Sequence, residues 1–173
     1  MHPEYAGFGE GGDTAAQSYI GVLCVSLLNI KQYYDEKYDR SNFIKNIILD
    51  NILPGDIYLK ARELHFSSEA SRVVLLIRLL DKNDVSVCDV VQNLFPDKTK
   101  VFVINISESD IALVKEVKSD IESKDLEKLA RSICDALSSE FYTHSLIGIG
   151  TPVVGVKDLA RSFKEAQIAL EVG

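Results

Sequence analysis

Few residues in this chain have the type and spacing for chemistry. The stretch Gly9–Thr14 reads GEGGDT, a glycine pair followed by an acid. Glycines let a phosphate approach the backbone, and acids beside them can hold the divalent cation that polarises it. Here, however, Gly11-Gly12-Asp13-Thr14 leads directly into a helical pattern. Asp13 or Thr14 therefore reads as an N-cap, which accepts otherwise unpaired backbone N–H groups and contributes on the order of 1 kcal/mol. Cys24, Cys88 and Cys134 are an odd number without Cys-x-x-Cys spacing, so reduced buried thiols are expected rather than a disulfide framework or a zinc site. His2, His65 and His144 lie far apart, with no acidic partner at ligand spacing. Asp35, Glu36 and Glu171 read as solvated surface. No phosphate-cradling motif is present beyond the weak Gly148-Ile149-Gly150, and no Ser/His/Asp or Cys/His arrangement follows from the spacing. No metal or cofactor is expected.

The composition fits one medium domain with an attached helical segment. Of 173 residues, 46% are hydrophobic and 26% charged, so the chain can bury roughly 70% of its unfolded surface without a staple. The net charge of −7 and the lack of a basic stripe argue against direct contact with nucleic acid. There is no run of about 18 apolar residues and no basic-then-apolar leader, so a soluble, cytoplasmic protein with no membrane partner is expected.

The elements follow from periodicity. Residues 1–12 read as a flexible lead. Ile20, Leu23, Leu27, Ile30 and Tyr34 recur at threes and fours, the mark of an amphipathic helix. After the polar interruption DEKYDRSN, the helical period resumes through Phe43, Ile44, Ile47, Ile48 and Ile52, giving one bent helix or two in series. A break at Pro54-Gly55 precedes a short helix with Asp56 as its cap, running to about His65. Arg72–Leu80 (RVVLLIRLL) is an apolar run suited to a central strand. Asp84 caps a helix through VSVCDVVQNLF. Strands over Lys100–Ile106 and Asp110–Val117 flank the hairpin-length Ser107-Glu108-Ser109. A helix over 124–141 buries Leu126, Leu129, Ile133 and Leu137, a short strand ends at Gly150, and a last helix spans Val156–Val172. The order predicts an α+β fold: a ferredoxin-like, four-stranded antiparallel sheet with helices on one face, preceded by a helical segment.

Two stretches carry a family resemblance. Leu146–Leu170 (LIGIGTPVVGVKDLARSFKEAQIAL) has a strand ending in Gly-x-Gly, a loop, and a helix with a Ser-aromatic-x-Glu-Ala core: Gly148, Gly150, Ser162, Phe163, Glu165 and Ala166. Phe43–Phe66 (FIKNIILDNILPGDIYLKARELHF) places a leucine-rich helix ahead of the first strand. Over residues 40–173 the chain resembles the GGDEF-like domain of bacterial transcription regulators of the sugar-diacid and purine-catabolism (CdaR/PucR) type. Taken singly, the two glycines also read as a tight bend and Ala166 as a close-packing position. The resemblance implies a regulatory domain that dimerises and reaches DNA only through a helix-turn-helix, toward which the family's chain would continue beyond Gly173. It also divides the chain into the lead (1–12), a linker and dimerisation segment (13–66) and the GGDEF-like domain (67–173).

The resemblance also implies what is missing. Active cyclases of the wider family carry glycines and paired acids on the hairpin between the second and third strands, and a metal-binding Asp at the end of the first. Here the hairpin reads Ser-Glu-Ser, Arg78 falls near the Asp position and Asp81 comes late, so no catalysis is expected. Two uses of the chain stay open. Ile20, Leu23, Leu27, Ile30 and Tyr34 could pair with the same helix of a second chain or pack on their own domain. Alternatively, the old cleft, lined by Arg78, Asp81, Lys82 and Glu108, could hold a small-molecule effector, with a surface salt bridge as the plainer role for Arg78.

Overall fold

Five consecutive apolar residues, Val73–Ile77, are stable in a strand only when both faces of the sheet are covered. The computed structural model describes residues 14–81 and 86–173 and covers both. Its elements are α1 (Thr14–Ile48), α2 (Pro54–Glu63), β1 (Ser71–Leu79), α3 (Val87–Asn93), β2 (Val101–Asn105), β3 (Asp110–Val117), α4 (Ser123–Phe141), β4 (Ser145–Ile149), β5 (Val153–Val154) and α5 (Leu159–Val172). The strand order is β2-β3-β1-β4, with β5 pairing the start of β1, and all pairings are antiparallel.

The expected class, an antiparallel α+β sheet preceded by a helix, is the one observed. The expectation of helices on one face is corrected. Val74, Leu76, Phe102, Ile104, Ala112 and Val114 pack with the end of α1, with α2 and with α5. Val73, Leu75, Ile77, Val101, Ile111 and Leu113 pack on the other side with α3 and α4. The cause lies in β1 and β3, whose buried residues do not alternate with polar ones. Two details also differ from expectation. Pro54 occupies the first turn of α2 behind Leu53 as N-cap, so Asp56 sits inside that turn rather than capping it. β5 is a further short strand. The lead, Asp13, Lys82 and Asp84 lie outside the described residues.

The chain divides into two compact units, Met1–Arg40 and Ser41–Gly173. Within the first, α1 is apolar on several sides. Leu23, Leu27, Ile30 and Tyr34 of the expected stripe are exposed, Ile20 is half-buried, and Val22, Val25, Leu28 and Tyr33 are exposed as well. Within the second unit, Phe43, Ile44, Ile47 and Ile48 join the core.

The Gly-x-Gly and Ser-aromatic-x-Glu-Ala residues meet where α5 lies on β4. A Cβ on Gly148 would collide with the carbonyl oxygen of Ala166, and one on Gly150 with that of Ser162. The two glycines thus let helix and strand backbones touch. The buried Ser162 hydroxyl accepts the Val74 N–H at 3.1 Å, while Gly150 N–H donates to the Val74 carbonyl at 2.9 Å. Glu165 accepts the Thr151 N–H at 2.9 Å, and hydrogen bonds from Thr151 hold its carboxyl below the ordinary range. Each motif residue has a packing or hydrogen-bonding role at this joint.

Candidate functional site

The site expected from the sequence lies where β1 ends and the β2–β3 hairpin turns. Arg78 faces Asp110 in the antiparallel register, and their side chains form a two-pronged ion pair. Nε donates to Oδ1 at 2.9 Å and an Nη to Oδ2 at 3.3 Å. These bonds and the nearby charge hold the guanidinium above its ordinary pKa, and Glu171 adds a weaker favourable field. Three residues further on, Asp81 Oδ2 accepts the His144 backbone N–H at 2.8 Å and lies 2.9 Å from His144 Nδ1. The backbone bond is the larger cause of the lowered Asp81 carboxyl.

The β2–β3 hairpin closes on the Ser107 hydroxyl. Ser107 Oγ accepts the N–H groups of Asp110 at 3.0 Å and Ser109 at 3.3 Å, and Ser107 N–H donates to the Asp110 carbonyl at 3.1 Å. Beside this turn is a concavity of about 450 Å³. Its polar lining comes from Lys45 of α1, Cys88 of α3, Asn105 of β2 and Ser86, Ser107 and Glu108 of the connections. The Cys88 thiol donates to Asn105 Oδ1 at 2.9 Å, and burial, with the Asp89 charge, pushes it up to about 11. Cys88 is therefore a neutral polar group in this wall, not a nucleophile, at neutral pH.

The four expected cleft residues are not gathered into one pocket. Glu108 lines the concavity, Arg78 is committed to Asp110, Asp81 is committed to His144, and Lys82 lies outside the described residues. A divalent cation would need carboxylates open to it at the end of β1. Asp110 and Asp81 are both engaged elsewhere, and no group of three or more His, Cys, Asp or Glu among the described residues is placed to hold a metal. The residues present do not fit that ion. Sequence reasoning missed Lys45 and Asn105. Asn105 had a signal, as the polar end of an apolar strand before a turn. Lys45 had none, because only the packing of α1 brings it to the hairpin.

A family model described as a GGDEF-like domain matches residues 50–172. Comparison with curated proteins and with solved structures gave no match.

Proposed function

The chain belongs to the GGDEF-like domain family, and from that premise we propose that it is a non-catalytic regulatory and dimerisation module of a CdaR/PucR-type bacterial transcription regulator. In this reading it couples a signal to a DNA-binding helix-turn-helix carried outside this segment. The observation that carries the non-catalytic part is the Arg78–Asp110 ion pair at the end of β1, where a cation occupies the ground that a cyclase gives to metal-binding acids. With Asp110 neutralised by Arg78, that end of β1 offers a divalent ion no open carboxylate. The Ser107-capped turn supports the same reading, because it lacks the glycine that lets a nucleotide approach the backbone. The dimer part rests on Leu23, Leu27, Ile30 and Tyr34, apolar and exposed on α1 at the three-four spacing of a paired helix.

The test is incubation with GTP and Mg²⁺, followed by chromatography. No cyclic dinucleotide is expected, and turnover above a no-protein control would overturn the non-catalytic reading. Light scattering tests the dimer: a monomer alone at concentrations on the order of tens of micromolar would remove it.

A second reading is a sensor that keeps the cleft for an effector. The concavity beside the hairpin favours it, since Lys45, Asn105 and Glu108 there offer both charge signs and an amide. A thermal-shift screen of sugar acids, purine metabolites and guanine nucleotides decides this, and no shift with any class would sink the idea.

A further inference from the structure

The opposite end of β1 carries a larger concavity, about 680 Å³, within the range of small-molecule sites. It shares no lining residue with the hairpin concavity. α2, the segment before β1 and the β5–α5 connection enclose it. Its floor is apolar, with Ile57, Phe66 and Val156 buried and Ala61 half-buried. One wall is fixed by Gly155, which is buried at φ +76° and donates its N–H to the Ala70 carbonyl at 3.0 Å. A side chain there would be strained in that conformation.

The mouth is charged. Arg62 and Lys157 line it, are exposed, and form no ion pair among the described residues. Asp158 is the one acid in the lining, so the two cations outnumber it. A concave apolar floor below a mouth with one net positive charge favours a molecule with an apolar body and a single negative end.

We propose that this cavity binds a small organic carboxylate, its aromatic or branched apolar body seated on Ile57, Phe66 and Val156 and its carboxylate on Arg62 and Lys157. The proposal goes beyond the regulatory reading and does not depend on the hairpin concavity. It places effector recognition between α2 and the start of α5, at the far end of the sheet from the lost catalytic ground.

Phenylbutyrate, with phenylbutanol as its uncharged counterpart, probes the site by two-dimensional NMR on the isotope-labelled 173-residue chain. Both are expected to shift the amides of Ala61, Gly155 and Val156, the carboxylate with about tenfold higher affinity. Arg62→Gln with Lys157→Gln should abolish that preference and leave phenylbutanol binding and the melting temperature unchanged. If the double variant melts early, the comparison of the two probes on the parent chain decides alone. The proposal is overturned by equal affinity for the two probes, or by no shift at these amides up to about 10 mM. Shifts at Leu79 and Asn105 instead would assign the binding to the hairpin concavity and also overturn it. So would shifts at Ala61, Gly155 and Val156 that grow on concentrating the protein without a probe, since these would assign the cavity to a second copy.

Discussion

Among the described glycines, Gly148 and Gly150 leave the least room for a side chain. Gly150→Ala should cost about 3 kcal/mol or more in a urea titration, because the new methyl meets the Ser162 backbone rather than a movable side chain. Gly21→Ala offers the contrast: nothing stands near its Cβ, so it should raise the helicity of α1, with a gain of up to about 1 kcal/mol. Asp81 allows a test by pH. Its carboxyl is lowered, so the bond to the His144 backbone contributes stability above the unfolded Asp value of 3.8 and loses it as pH falls through the lower folded value. In Asp81→Asn, the drop in melting temperature between about pH 6 and about pH 3 should be smaller than in the parent. An equal drop would show that this bond does not contribute. The sequence allowed a packing role for the motif glycines and Ala166. It could not show that the Ser162 hydroxyl serves a strand, since its partner Val74 is remote in the chain.

Element boundaries were legible where a residue pattern marked them. β3 lies over Asp110–Val117 as the hairpin-length Ser-Glu-Ser before it predicted, and α4 begins one residue ahead of expectation. α5 starts at Leu159 rather than Val156, because a turn closed by the Leu159 N–H on the Val156 carbonyl at 3.2 Å precedes it, with Asp158 as N-cap; β5 was missed because a two-residue strand has no period to read. The end of α4 holds another legible test. Tyr142 caps that helix in the left-handed region at φ 52°, with its side chain 84% exposed. Tyr142→Gly should therefore stabilise the fold by about 0.5–1 kcal/mol, read as a shift in the urea midpoint, since glycine adopts that conformation without strain and little packing is lost.

At the scale of the molecule, the class of fold was legible because strand and helix order alone restricts the topologies. The cover on both faces was harder to see, although the unbroken apolar run of β1 was its sign. The candidate site was legible only in part: Arg78 and the hairpin could be named from their places in the chain, but Asp110 and Lys45 come near them only through register and long-range packing. The long α1 sets the remaining prediction. If the proposed dimer forms through α1, replacing both Leu23 and Leu27 by Glu should leave only monomer at concentrations on the order of tens of micromolar, by light scattering, without changing the urea midpoint of the second unit. A dimer that persists would place its interface elsewhere. One last consequence comes from the break between β4 and β5. Across that gap the Val74 amide proton is held by a helix hydroxyl instead of a neighbouring strand. In deuterated solvent it should therefore exchange at the rate at which α5 lifts away, faster than its neighbours Leu75 and Ile77, making it a clock for helix docking in the middle of the sheet.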